Sequence, residues 1–403
     1  MLTAGHLSTC PRMLKAADAL HGAGYQVRVV SVNHTAWATA ADRDIMSSRR
    51  WAWTAVDYAR TTARVTQITT GARLRAAWAF SRAARARVPF AIAARACGRA
   101  HAELVRAVAQ APADFVYGGS TGALAAVAES AARLRVPYGL DLEDFHSGED
   151  AGPGGHVHDA LMERIERAVL PAARFLTASS PLIARGYADK YGVRPVTIHN
   201  TFSLEAEPPE SPPAKGPLRV YWFSQTLGPA RGIEGLVHAF GRAAVTGELH
   251  LRGRAVPSYL EFLQRLQREI APALTLTLNE PAPPAEMVRL ARGFDAGLSG
   301  EEPRTLNRQW CLGNKIFTYL AAGVPVIMSR TPAQAALARE LGDAAFLYDG
   351  VNDLADLLRA LAGDPERRCR ARRAARQAAQ DRWHWEHPLD RGALLEAFSR
   401  ALA

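Results

Sequence analysis

One pattern constrains this chain more than any other. Short apolar strands alternate with loops and helices through the first half, stop at a proline-rich segment, and then begin again. In the first half a helix from about Pro11 to Gly24 leads into a strand at Val27–Val32 (VRVVSV). Further strands are expected at Asp114–Tyr117, Tyr138–Leu142, Phe175–Ser180 and Val196–His199, with helices such as Ala123–Leu134 and Met162–Val169 between them. Only Met1–Ala4 precede the loop at Gly5, so either the first strand is very short or the start of the chain lies inside it. Residues 49–110 read as mostly helical. The break is Glu205–Pro217 (EAEPPESPPAKGP), where proline removes amide donors and no apolar periodicity survives.

After the break the pattern restarts with Leu218–Phe223 (LRVYWF). Strands follow at Leu249–Arg252, Leu274–Leu278, Ala296–Ser299, Val324–Met328 and Ala345–Tyr348, each trailed by a helical stretch. Strands alternating with helices imply parallel sheets covered on both faces. At 403 residues the chain exceeds what one core usually supports, about 250–300 residues. The expectation is therefore α/β, with two Rossmann-like doubly wound domains facing a cleft: 1–204, a linker at 205–217, and 218–380. A C-terminal helix at 381–403 is expected to pack back on the first domain.

Doubly wound sheets bind ligands outside the carboxyl ends of their strands, so the residues after each strand carry the chemistry. Four segments qualify. Thr3–Arg12 (TAGHLSTCPR) is a glycine-containing loop that opens a helix, with free amides suited to an anion but no dinucleotide fingerprint. Asp141–Asp150 (DLEDFHSGED) crowds five acids and His146 directly after a strand, and such crowding raises carboxyl pKa values. Ser224–Gly232 (SQTLGPARG) follows the first strand of the second half, with Gly228 and Gly232 allowing close backbone approach beside Arg231. Gly297–Gly323 (GLSGEEPRTLNRQWCLGNKIFTYLAAG) holds the carboxylates Glu301 and Glu302, then Asn307 and Arg308, then a helix opening at Gly313-Asn314-Lys315. A cation beside free helix amides suits a diphosphate, and a carboxylate can accept from sugar hydroxyls.

This last stretch resembles the donor-site motif of retaining GT-B glycosyltransferases, specifically glycosyltransferase family 4, where an acid-containing loop precedes N-K-[IL]-F-x-Y-x-x-A-G-x-P-V-I. Here it stands as the run from Asn314-Lys315-Ile316-Phe317 to Gly323-Val324-Pro325-Val326-Ile327. In the same order, Gly5–Arg12 is similar to the family's acceptor loop, Asp141–His146 to its acidic strand end, and Arg231–Gly232 to the [KR]-G pair that touches the donor diphosphate. The departures are specific. Many members carry Glu where Thr318 stands and Arg where Gln225 stands, and Trp310 occupies the place of the first Glu in the family's E-x7-E pair. Glu301 or Glu302 is then expected to take over.

The resemblance implies transfer of a sugar from a nucleotide-sugar donor to a hydroxyl acceptor, with retention of configuration. The groups expected at the reaction are His146, Arg231, Lys315 and Glu302. Those expected at the donor are Gln225, Gly228, Gly232, Arg254, Glu301, Asn307, Asn314, Thr318 and Tyr319. Gly5, His6, Ser8, Arg12, Asp141, Glu143 and Asp144 are expected at the acceptor. No cofactor and no metal is expected, because the cations take the metal's place and the four cysteines form no zinc-type spacing.

Three other readings compete: a non-catalytic or regulatory glycosyltransferase-like binding protein, a sugar-nucleotide epimerase of the same fold, and a membrane-associated scaffold held by the basic helices. The acceptor is left open among glycan, lipid-linked and small-molecule hydroxyls. The net charge of +10 suits anionic partners, and nucleic acid is not expected among them. The arginine-rich stretch Arg73–Ala109 reads either as surface helices on the sheet or as a contact with an anionic membrane. Without a signal peptide or an apolar run approaching the roughly 20 residues that span a bilayer, the expected place is the cytoplasm, with the inner membrane face as a peripheral site.

Overall fold

The computed structural model describes residues 1–84, 88–149, 155–204 and 216–403. Most of the proline-rich segment, together with Arg85, Arg87 and Asp150, lies outside the described residues. In chain order the elements begin β1 (Leu2–Thr3), α1 (Pro11–Gly22), β2 (Arg28–Asn33), α2 (Ala36–Ser47), β3 (Ala52–Asp57), α3 (Arg64–Ala84), α4 (Phe90–Cys97) and α5 (His101–Val108). There follow β4 (Val116–Gly119), α6 (Leu124–Leu134), β5 (Tyr138–Leu142), α7 (Gly155–Val169), β6 (Phe175–Ala178), α8 (Pro181–Tyr191) and β7 (Val196–Thr197). The second half begins with β8 (Leu218–Leu227), α9 (Ile233–Ala243), β9 (Gly247–Ala255), α10 (Pro257–Ile270), β10 (Leu274–Asn279), α11 (Met287–Ala291) and β11 (Ala296–Ser299). It ends with α12 (Leu306–Trp310), α13 (Asn314–Ala321), β12 (Val326–Ser329), α14 (Pro332–Leu341), β13 (Ala345–Tyr348), α15 (Gly350–Gly363), α16 (Pro365–Asp381) and α17 (Ala393–Leu402).

The chain divides into two compact units. One comprises Met1–His199 with Thr305–Asn307 and Pro388–Ala403; the other comprises Asn200–Arg304 and Arg308–His387. Each has its own parallel sheet. The first runs β3-β2-β1-β4-β5-β6-β7 and the second β10-β9-β8-β11-β12-β13. Both follow the doubly wound order in which the chain starts mid-sheet, works to one edge, then returns to build the other. The expected α/β class with two Rossmann-like domains is what the chain adopts. The reversal points fall between β1 and β4 and between β8 and β11, the places where doubly wound sheets open a crevice for ligands.

One strand was not legible in the sequence. Trp51–Asp57 sits in the stretch expected to be helical, yet Ala52–Asp57 pairs along its whole length with β2 as the sheet's edge. The tryptophans, with Trp53 donating to the Ser31 hydroxyl at 2.9 Å, hold it there. Strand β1 spans only two residues, yet it is paired on both sides, with Leu2 opposite Val30 and Gly118.

The second unit's core is built from Trp222, Leu236, Phe240, Leu251, Leu298, Ile327 and Leu358. In the first unit α17 seats Phe398 among Phe115, Tyr117 and Phe175, with ring centroids 5.1–5.4 Å apart. Among the described residues no helix is long and apolar enough to cross a membrane.

Candidate functional site

In the second unit, the loop after β8 meets the loop after β11 at the reversal point. Gly232 has φ +76, and a Cβ placed on it would lie 2.9 Å from Gly300 Cα. Only glycine satisfies both the left-handed backbone and the close approach. Gly232 then becomes the N-cap of α9, and Gly313 that of α13; neither helix start receives a side-chain cap. Their first amides are therefore free to meet an anion.

Around these helix starts the charged groups gather. Lys315, half-buried on α13, holds its ammonium 5.3 Å above the ring of buried Trp222. Desolvation lowers its pKa; Glu301 partly offsets that, and the neighbouring charges of Arg231 and Arg308 push it further down. Glu301 is buried, 9% exposed, and ion-paired to Arg308. Its amide donates to the Ser329 hydroxyl at 2.8 Å, which fixes the loop. Burial and the two carboxylates Glu301 and Glu302 raise the Tyr348 hydroxyl's pKa, which places that phenol in the same neighbourhood. The assembly is three cations around one buried carboxylate, above an aromatic floor, beside two open helix ends.

Glu302, expected at the reaction, and several expected donor residues are engaged in other contacts. Glu302 turns away to Arg304, at 2.6 Å, so the buried acid of the pair is Glu301. Thr318 is fully buried and its hydroxyl is spent on the Asn314 carbonyl at 3.0 Å, as short side chains on helices often do. Tyr319 is a core residue: it is fully buried, its hydroxyl donates to the Tyr221 carbonyl at 3.1 Å, and its ring fills the space that glycine leaves at Gly297. Asn314 accepts from Asn200. Gln225 and Arg254 are exposed on the long, paired ends of β8 and β9, with a bulge between Phe223 and Thr226, and Gly228 lies open beyond them. Asn307 belongs to the first unit, where its side chain caps the Phe145 amide at 2.9 Å and donates to Asp144 at 2.9 Å.

The first unit's reversal point is acidic and tightly bonded. Arg12 forks onto Asp141 with bonds of 2.9 and 2.6 Å and donates its third arm to the Ile198 carbonyl at 2.6 Å. Asp141 also accepts from Thr177 at 2.6 Å. Burial would raise the Asp141 carboxyl, but Arg12 and Thr177 hold it below the usual range. Arg12 and Asp141, expected at the acceptor, thus satisfy each other inside the unit. His6 is buried too: Nδ1 lies 2.9 Å from Asp42, and Nε2 accepts from the His34 amide at 3.3 Å, so Nδ1 carries the proton. The Ser8 amide donates to the same Asp42 carboxylate at 2.7 Å. These contacts shape the loop around Gly5, where an added Cβ would meet the Cys10 sulfur at 2.8 Å.

Glu143, Asp144 and His146 remain. Desolvation and the adjacent Asp144 push the Glu143 carboxyl up to about 7, against the pull of Arg12. Burial and Glu149 raise Asp144 as well. Burial and Arg12 lower Lys15, on α1 beside them, to about 7. His146 is 1% exposed; Nδ1 sits 3.1 Å from Thr121 Oγ1, and Nε2 has no partner among the described residues. Burial works against its proton, yet Glu149 and Asp144 outweigh this and its pKa is raised. Sequence reasoning passed over Thr121, Lys15 and Asp42, and named Arg308 without giving it a role. Ser120, at φ 88 with its hydroxyl buried and without a partner among the described residues, marks the β4 turn as strained.

Residues 236–391 match the protein family described as "Glycosyl transferase-like". HepE of Anabaena, solved with UDP and glucose, is similar over 100% of this chain and 98% of its own, at 15% identity and a TM-score of 0.69. A glycosyltransferase from Rickettsia africae covers 100% and 97% at 12% identity and a TM-score of 0.67. The lipopolysaccharide outer core galactosyltransferase WaaB covers 100% and 97% at 11% identity and a TM-score of 0.58. No curated protein matches the chain. The fold is that of GT-B glycosyltransferases, and with the family match it supports the expected enzyme class, a glycosyltransferase.

Proposed function

We propose that this chain transfers a sugar from a nucleotide-sugar donor, held by the second unit, to a hydroxyl acceptor with retention of configuration. The gathering of Arg231, Lys315 and Arg308 around Glu301 beside the open ends of α9 and α13 supports this reading most strongly. The chemistry follows from charge. As the bond between the anomeric carbon and the β-phosphate oxygen breaks, its electron pair stays on the phosphate, and preorganised cations stabilise that charge. Glu301 offsets the repulsion among the cations before the diphosphate enters, and Arg308 then turns to the phosphate or the sugar. The acceptor oxygen bonds to the anomeric carbon on the face the phosphate leaves, and its proton passes to the departing phosphate oxygen. No metal takes part, since Arg231 and Lys315 carry the positive charge.

On the first unit Glu143, Asp144 and His146 are the groups left to meet hydroxyls, while Arg12 and Asp141 hold their frame. The HepE structure holding UDP-glucose makes a UDP-sugar the first donor to try. In a nucleotide-release assay with UDP-sugars, Lys315→Ala is expected to lower turnover at least about a hundredfold, the scale of removing one charge-stabilising group from such a site, while the protein stays folded. Unchanged initial rates would remove Lys315 from the reaction.

A further inference from the structure

Helix α3 is apolar on both sides, with Leu74 and Trp78 half-buried toward the unit. The side packed on α4 and α7 carries Thr70, Gly71, Ala77 and Ser81, all buried. It is anchored by polar bonds: Arg99 donates to the Gln67 carbonyl at 2.9 Å and to the Thr70 hydroxyl at 3.3 Å, and Arg73 pairs with Glu103. The outer side is apolar as well. Val65, Ile68 and Phe80 are 76%, 53% and 47% exposed, and Ala72, Ala76, Ala79 and Ala83 are exposed between them. Spacings of three, four and seven residues bring Val65, Ile68, Ala72, Ala76, Ala79 and Ala83 onto one stripe, a second apolar stripe beyond the side that packs on the unit.

Charge follows the same geometry. Arg64, Arg75 and Arg82 are exposed along one edge of that stripe, and α3 contains no acidic residue. Among the described residues none of the three forms an ion pair; Arg82 stacks 5.8 Å from the Trp78 ring. An apolar stripe bordered by unpaired arginines on a rigid, docked helix is the arrangement that lies in a membrane interface.

We infer that the outer face of α3 docks the protein on an anionic lipid surface, with Val65, Ile68 and Phe80 entering the headgroup boundary and Arg64, Arg75 and Arg82 meeting lipid phosphates. The single sign of the charged edge selects this occupant over a protein partner of mixed charge. None of these residues is among the groups assigned above to sugar transfer, so the inference stands or falls without them.

The test is sedimentation of the full chain with phosphatidylcholine vesicles, with and without phosphatidylglycerol. Binding is expected only with the anionic lipid, and is expected to weaken as salt screens the surface. Arg64→Gln, Arg75→Gln and Arg82→Gln together should lower partitioning about a hundredfold, each arginine near an anionic surface being worth about fivefold. Ile68→Asp should lower it at least about tenfold. Both variants should keep the wild-type melting temperature and donor hydrolysis, because the residues point outward. Failure of the wild type to sediment with anionic vesicles, or equal binding by the variants, overturns the inference. So does a dimer in sedimentation velocity that Ile68→Asp converts to monomer while vesicle binding is unchanged, since the face would then join two copies of this chain.

Discussion

The two units share a topology, β3-β2-β1-β4-β5-β6 in the first and β10-β9-β8-β11-β12-β13 in the second, yet their reversal points have opposite electrical character. The second unit collects Arg231, Arg308 and Lys315 around a single buried acid beside uncapped helices. The first collects Asp141, Glu143, Asp144 and Glu149, with one buried arginine locked against Asp141. Doubly wound geometry thus fixes where a ligand sits and leaves the residues after each strand to decide its charge. A basic point suits the diphosphate of a donor. An acidic one suits hydroxyls and their protons. The first unit's acids are also structural, because burial makes each depend on its partners, whereas the second unit's cations are half-exposed and depend less on fixed partners.

That difference is sharpest in stability. Asp141→Ala would strand the Arg12 guanidinium in the interior, and an unpaired buried charge costs about 3–5 kcal/mol. The expected result is a fall of roughly 10 °C in the melting of the first unit, at about 2–4 °C per kcal/mol for a domain of this size. Lys315→Ala should shift the melting temperature by no more than a degree or two, since Trp222 beneath it remains packed. Equal losses from the two substitutions, read by differential scanning calorimetry, would erase the contrast between an interlocked site and an open one.

A smaller effect separates the two by pH. Glu143 has a folded pKa raised to about 7, above the roughly 4.3 of an unfolded glutamate. The folded state therefore binds more protons between those values, and stability falls as pH rises from about 4 through about 7. Glu143→Gln removes the titrating group, so the variant should gain on the order of 1–2 kcal/mol over wild type at pH 8, after allowance for partial solvent screening, and nothing at pH 4. Denaturation midpoints at the two values check this. A wild-type stability that is flat from pH 5 to pH 8 would mean that Glu143 and Asp144 are well solvated.

The fold was readable because periodicity and punctuation are local. The helix at Asn314–Ala321 and the strands around it follow from apolar spacing and glycines within a dozen residues. Strand β3 was not readable, because its support is Ser31 and β2 rather than its own sequence. Site residues divide in the same way. Arg231, Glu301 and Lys315 follow directly on strands or open helices, and position alone nominates them. Thr121 holding His146, Asp42 holding His6 and Asn307 holding Asp144 are partnerships across long stretches of chain, which no local signal reports. Thr318 and Tyr319 show the opposite error: they lie inside the motif that resembles the donor site, yet they face inward, since half of any helix packed on a sheet must serve the core.

The smallest expected effect discriminates two adjacent acids of the second unit. Glu301 is buried, paired to Arg308 and electrostatically felt by Lys315; Glu302 is more exposed and occupied by Arg304. If Glu301 organises the cations, Glu301→Gln should leave Arg308 without its charged partner and weaken UDP-sugar binding about tenfold, the scale of one charge-assisted hydrogen bond. Glu302→Gln should change it by less than about twofold, because an exposed ion pair contributes only about 0–1 kcal/mol. Isothermal titration of both variants against the same donor reads the difference directly. A larger loss from Glu302→Gln would mean that the more exposed carboxylate meets the sugar, and that the buried one serves only to fold the loop after β11.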